Sequence, residues 1–502
     1  MSTVLERSAS TTEELADIKG RTLRGGAVTT VVQITTFVLR TVSTIILARL
    51  LSPTDFGLVA MVVGITGFFE LFKDAGLSMA TVQRKEITQQ QISTLFWINI
   101  LIGTLLTVGS MALAPALVAF YGEPRLFTLT IALACGFIIS AAGVQHRALL
   151  QRRMEFVTLG MIDILGLVGS LSVGVGLSIA GFRYWALVAM ALSALLVQTL
   201  SCWVANPWMP GLPSRRCGVR SMLHFGGTLT LNAVLVYVAY NIDKILLGHY
   251  LGAGVLGLFS RAQALINLPT TQLNTAVGSV AFPALSRLQS DEANLKKYFL
   301  KGYSLILSLT IPITIVCGLF AQELVLLLLG RKWTEAIPVF RLLVPAALSL
   351  AFINPFGWLL MATGQVGRSL RMAVLIAVVL VPSLLLGLSY GAGGVAVAWS
   401  LVMTLLVVPL IQWAKWGGSI KGKDVLEVVR RPLVAGILAG VAGFIYHVFI
   451  GETLAVHWRL AIGLALVFGL YAGILLFAMG QKRFYLDVLR HLMPALRPAT
   501  QA

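Results

Sequence analysis

Apolar stretches of about eighteen or more residues recur from about residue 26 to about residue 480 of this 502-residue chain. Each is long enough to cross a hydrocarbon core of roughly 30 Å as a helix. A soluble domain is excluded by the same feature. With 57% hydrophobic residues, 12% charged residues and a mean hydropathy of +0.88, there are too few charges to cover so much apolar surface. The pattern predicts an all-α integral membrane protein of about 14 transmembrane helices, centred near residues 37, 64, 105, 136, 168, 192, 236, 268, 314, 348, 379, 405, 441 and 467.

The net charge of +18 invites a nucleic-acid reading, but its distribution excludes one. Basic residues form short clusters between apolar runs, such as Arg147, Arg152 and Arg153, or Lys421, Lys423, Arg430 and Arg431. A nucleic-acid binder gathers base on one soluble face instead. Alternate loops carry about 28 and about 6 Lys and Arg residues, which by the positive-inside rule places both termini and the loops near residues 84, 150, 216, 295, 370 and 422 in the cytoplasm. About 25 polar residues precede the first run, so no cleavable signal peptide is expected. Cys135, Cys202, Cys217 and Cys317 show no CxxC spacing and read as structural fillers.

An internal repeat refines the architecture. The stretch from Ile46 to Leu58 reappears from Leu246 to Leu258, with Leu51, Gly57 and Leu58 recurring at an offset of 200. Both stretches close one span with a tight outer turn and open the next, and an even number of spans separates them. Two pseudo-symmetric six-helix lobes related by an axis along the membrane normal are therefore expected, with a C-terminal helix pair added. The expected divisions are a cytoplasmic tail (1–25), an N-lobe (26–206), a basic linker (207–221), a C-lobe (222–416), a cytoplasmic loop (417–429), the last two spans (430–481) and a cytoplasmic tail (482–502).

A charge deep in a span costs about 2.5–3.5 kcal/mol, so each one requires a partner, a watery cavity or an escape to the interface. Arg40 lies near the middle of the first span with Gln33, Thr36, Ser43 and Thr44 on or beside its face. That stripe reads as a cavity wall or as a helix–helix hydrogen-bonding seam. Arg261 and Arg341 lie a few residues inside the outer interface and Arg49 at it, within reach of snorkelling. Gln263, Asn267, Thr270, Thr271 and Asn274 recur at helical spacing around Pro269, as in a kinked cavity-lining helix. Asn232 and Tyr240 add polar positions to the preceding span. Guanidinium groups pair bidentately with phosphate and stay charged in a low dielectric, so converging arginines suit a diphosphate. Among the acids, Asp243 reads as an ion-pair partner for Lys244 or a facing arginine, and Asp163 as a candidate coupling-ion site. No GxxxxGK[ST], HExxH or GxSxG motif occurs, so ATP hydrolysis, zinc proteolysis and serine hydrolysis find no support, and no cofactor is expected.

Four motifs together resemble the Wzx-type exporters, the polysaccharide-transport branch of the superfamily that also holds multidrug antiporters and lipid II flippases. They are Ala48-Arg49-Leu50-Leu51-Ser52-Pro53-Thr54-Asp55-Phe56-Gly57, Asn241-Ile242-Asp243-Lys244-Ile245-Leu246-Leu247-Gly248, Leu256-Gly257-Leu258-Phe259-Ser260-Arg261-Ala262 and Phe282-Pro283-Ala284-Leu285-Ser286-Arg287-Leu288. The resemblance implies a bacterial inner-membrane flippase that carries undecaprenyl-diphosphate-linked oligosaccharide by alternating access, feeding a polysaccharide polymerase and co-polymerase. It maps a cationic cavity onto Arg40, Arg49, Arg261 and Arg341, and implies that the last two spans hold the polyprenyl tail. Drug antiporters of the superfamily have an acidic first span, where this chain has Arg40 and no acid. A membrane-embedded polymerase or ligase, the rival from another class, would need a large outer loop, and none exceeds about 15 residues.

Overall fold

A computed structural model describes residues 31–73, 77–83, 87–214, 220–415, 417–483 and 485. Every regular element among them is helical. The chain begins with α1 (Val31–Leu50), then α2 (Pro53–Glu70), the short α3 (Leu77–Gln83), α4 (Gln89–Tyr121), α5 (Leu126–Arg152), α6 (Phe156–Ile179) and α7 (Tyr184–Ala205). The second part holds α8 (Arg220–Arg287), α9 (Glu292–Leu319), α10 (Ala321–Leu328), α11 (Ala336–Ala362), α12 (Val366–Leu388) and α13 (Gly391–Ala414). Helices α14 (Gly422–Phe449) and α15 (Val456–Gly473) complete it.

Thirteen helices among the described residues are long and apolar enough to cross a membrane, against the fourteen expected. The difference arises at spans 7 and 8, which are merged into the 68 residues of α8 and separated only by a break at Gly252. Gly252 adopts φ 80°, ψ 177°, a region open essentially to glycine alone. The equivalent reversal between α1 and α2 is built from other chemistry. Ser52 caps α2, accepting from the Asp55 amide while the Asp55 carboxylate takes the Ser52 amide, and Pro53 sits at the first helical position.

Packing separates the chain into neighbourhoods. Helix α4 lies against α5, α5 against α7 and α6 against α7, while α11, α12 and α13 pack on one another and on α8. Helix α14 rests on α9 and α15. The two halves meet chiefly along α2 and α8. There a Cβ on Gly57 would stand 1.7 Å from the Ala253 carbonyl oxygen, and one on Gly257 would stand 1.8 Å from that of Pro53. These two contacts exchange with each other under the 200-residue offset, so this interface is locally two-fold. Only hydrogen side chains permit so close an approach of two backbones. Outward-facing Leu101, Leu105 and Val108 on α4, with Ile437, Val441, Phe444 and Val448 on α14, are exposed. Apolar area of this extent on helices of spanning length is surface for lipid.

Candidate functional site

The α2/α8 seal is reinforced at the same end of the bundle. Trp333 is fully buried and donates its indole N–H to the Ala48 carbonyl at 2.8 Å, its ring edge-on to Phe56 at 5.5 Å. Arg49 donates to the Leu327 carbonyl. Its counterpart at the 200-residue offset, His249, lies 2.7 Å by Nδ1 from the Phe120 carbonyl and stacks on the Phe120 ring at 4.3 Å. Each half thus closes on the other through equivalent positions.

Behind the seal, the N-terminal half encloses a cavity of about 480 Å³. Arg40 and Thr36 reach it from α1, Arg147 and Gln151 from α5, Asp163 from α6 and Gln198 from α7, with Lys73 beyond the end of α2. The position of α1 follows from Gly160, where a Cβ would meet Val32 at 2.3 Å. Arg147 engages Asp163 through both terminal nitrogens, at 2.8 and 2.9 Å. The short turn at residues 153–155 joins α5 to α6 and keeps both residues within about two helical turns of it. Lys73 pairs with Glu70 at 3.0 Å. Arg40 has no ion pair among the described residues. Among the described residues that line the cavity it is the cation left without a carboxylate.

The C-terminal half holds a second cavity of about 320 Å³ between α8 and α11. Asn267, Thr270 and Asn274 line it from α8, and Asn354 and Trp358 from α11. Deeper in that half, Asp243 is wholly buried and accepts from Gln263 at 3.1 Å and from the Lys244 amide at 2.9 Å.

Several sequence expectations change here. The four arginines do not converge: Arg40 lines the N-terminal cavity, and none of the others does. Arg49 belongs to the seal, Arg261 lies 4.1 Å over the Phe56 ring, and Arg341 is exposed on the first turns of α11. The Lys244 ammonium goes to Asn241 Oδ1 at 2.7 Å rather than to Asp243, since consecutive helical side chains diverge by about 100°. Asp163 is tied to a guanidinium, which argues against an open coupling-ion site. Thr36 joins Arg40 in the cavity and Asn267 lines the other one, whereas Gln33 is exposed and Thr44 returns its hydroxyl to the Arg40 carbonyl at 2.9 Å. The side chains of Asn232 and Tyr240 lie outside the described residues. Arg147 reads in the sequence as part of a basic loop cluster; the available signal was an intramembrane acid, Asp163, within about two helical turns of the same short turn. It also missed Asn354 and Trp358, which one helical turn places on the same face.

Comparison with known proteins places this geometry in context. A family profile described as polysaccharide biosynthesis protein matches residues 46–338. The chain is 28% identical over 395 residues to the lipopolysaccharide biosynthesis protein WzxC of Escherichia coli (strain K12), covering 77% of this chain and 80% of that one. It is 25% identical over 476 residues to the succinoglycan biosynthesis transport protein ExoT of Rhizobium meliloti (strain 1021), covering 93% and 95%. Among solved structures, the inward closed conformation of the lipid II flippase MurJ superposes with a TM-score of 0.71 at 14% identity, covering 92% of this chain and 99% of that chain. At that identity the likeness is one of fold.

Proposed function

Because the chain belongs to the polysaccharide biosynthesis protein family, we propose that it is a flippase for undecaprenyl-diphosphate-linked oligosaccharide repeat units, working by alternating access from the cytoplasmic to the outer leaflet. The observation that carries this reading is the N-terminal cavity, where Arg40 stands unpaired and Arg147 is held by a carboxylate. A diphosphate diester is a dianion. Arg40 offers it a fork of donors at once, and displacement of Asp163 from Arg147 offers a second. Among the described residues that line the cavity the one acid is paired with Arg147, which disfavours export of cationic drugs. Among the described residues the helices are joined by short connections, so a polymerase or ligase would lack an extramembrane active-site domain.

The asymmetry of Lys and Arg supports an orientation with the α2/α8 seal outside and both termini in the cytoplasm, and the proposed substrate would put the chain in the inner membrane. The cavities would then load from within. Movement of each negative charge outward across an inside-negative membrane gains about 2.3 kcal/mol per 100 mV, so the potential can drive the step. The exposed apolar faces of α14 and α15 offer the polyprenyl tail a path outside the cavities, and a polymerase with its co-polymerase would consume the product.

Arg40→Ala tests the assignment. The variant should insert normally, yet lipid-linked repeat units should accumulate in the inner leaflet, protected from a membrane-impermeant oxidant added outside spheroplasts, while polymer output falls. Wild-type polymer output from the inserted variant would remove Arg40 from the mechanism.

A further inference from the structure

The cavity between α8 and α11 differs chemically from its N-terminal counterpart, because none of the described residues that line it is charged. Its polar groups are amides and hydroxyls from Asn267, Thr270, Asn274 and Asn354, set beside the indole of Trp358 and the apolar side chains of Ala347, Leu350 and Ala351. Amides both donate and accept, as a polyol requires, and an aromatic face suits the side of a pyranose ring that carries only C–H groups. At about 320 Å³, the space is at the small end of the range of about 300–1,000 Å³ for ligand sites. It takes one part of a large substrate.

Two details indicate a prepared surface. The Asn274 amide donates to the Thr270 carbonyl at 3.0 Å, which fixes the side chain, while its carbonyl oxygen is buried without a partner. A buried acceptor left unpaired is unfavourable, and an incoming hydroxyl would relieve it. The indole of Trp358 packs over Gly278, where a Cβ would stand 2.9 Å from Cε2 and Cζ2. The glycine leaves a notch that holds the ring in place before any ligand arrives, and such preorganisation favours binding.

We propose that this cavity is the sugar-reading subsite, taking a neutral glycosyl residue whose hydroxyls meet Asn274 and Asn354 and whose C–H face lies on Trp358. This rests on the flippase reading above and adds a division of labour to it. The diphosphate needs cations, which the N-terminal cavity provides and this one, among the described residues, does not, and a neutral sugar needs none. An uncharged wall therefore reads the sugar without competing for the diphosphate.

The test uses the full chain in nanodiscs with two probes: undecaprenyl diphosphate without sugar, and lipid-linked oligosaccharide extracted from a host lacking the polymerase. The wild-type protein should bind the sugar-bearing probe more tightly. Trp358→Ala and Asn274→Ala should weaken that probe by about tenfold or more and leave the sugar-free probe unchanged, which also shows that the variants are folded. Trp358→Phe should retain most of the difference. Equal wild-type affinity for the two probes, or a Trp358→Ala effect that is absent or the same on both, overturns the proposal. Failure of the sugar-free probe to bind the wild-type protein would instead strike the diphosphate reading, with the effect of Trp358 still legible on the other probe.

Discussion

The reciprocal glycine contact makes a quantitative prediction about gating. A methyl group added at Gly57 would stand 1.7 Å from the Ala253 carbonyl oxygen, whereas ordinary contact begins at 3.4 Å. The opposing atom is backbone, so no side chain can swing aside. The two helices must part by about 1.7 Å, or α2 must distort. Overpacking of this kind typically costs about 1–3 kcal/mol, and the cost falls on the sealed state if opening parts these two backbones. The ratio of unsealed to sealed molecules should then rise by about 5–150-fold. Gly257→Ala should do the same to a similar degree, since its contact at 1.8 Å with Pro53 is the same contact seen from the other half. The reporter is Ala262→Cys, in a background with the native cysteines replaced. Ala262 is completely buried on α8, deeper than the seal, so an impermeant maleimide added outside cells should label it only when the seal opens. Both glycine variants should accelerate labelling and depress polymer output. If Gly57→Ala labels no faster than its parent, or if only one of the pair responds, the seal is not the gate and the two-fold interface is static packing.

Other outcomes follow from single contacts. Asp163→Asn frees Arg147 and should tighten undecaprenyl diphosphate binding, while Arg147→Ala should weaken it by about tenfold. Side-chain exposures of 43% and 33% in that pair imply a stability change under about 1 kcal/mol for either variant; shifts of affinity in the same direction would refute the exchange. Glu323, with its side chain 1% exposed, faces Arg459 at 3.2 Å and His447 at 3.9 Å. Arg459→Ala strands that carboxylate and should destabilise the chain by about 3–5 kcal/mol, read as early thermal aggregation in detergent, with Glu323→Gln milder. Gly252→Ala should cost about 1–3 kcal/mol through backbone strain alone, because a Cβ there meets nothing within 4 Å; an unchanged melting profile would show that the α8 break tolerates a side chain.

Much of the fold was legible because the bilayer imposes a simple rule on sequence. Length and hydropathy alone marked the spans, and the recurrence of Leu51, Gly57 and Leu58 two hundred positions later marked the halves. The repeat was readable at Gly57 and Gly257 for a steric reason: both must lack a side chain for the backbones to touch. The boundary between spans 7 and 8 was less visible, since one glycine with an unusual dihedral suffices to break α8 and carries no hydropathy signature.

The candidate site was legible only in its residue types. Arginines and amides in apolar spans announced that polar space exists, because an isolated charge in hydrocarbon is too costly to keep without a role. Which of them share a space was decided by helix rotation and by pairing across the bundle, properties that depend on neighbours far away in the chain. That is why Arg49 and Arg261 serve the seal, Arg147 joins Arg40 beside Asp163, and Trp358 meets Asn274 across α8 and α11. Local sequence determines how each helix partitions between lipid and protein, since that free energy is a sum over its own side chains. Convergence is a relation between helices, and only their packing settles it.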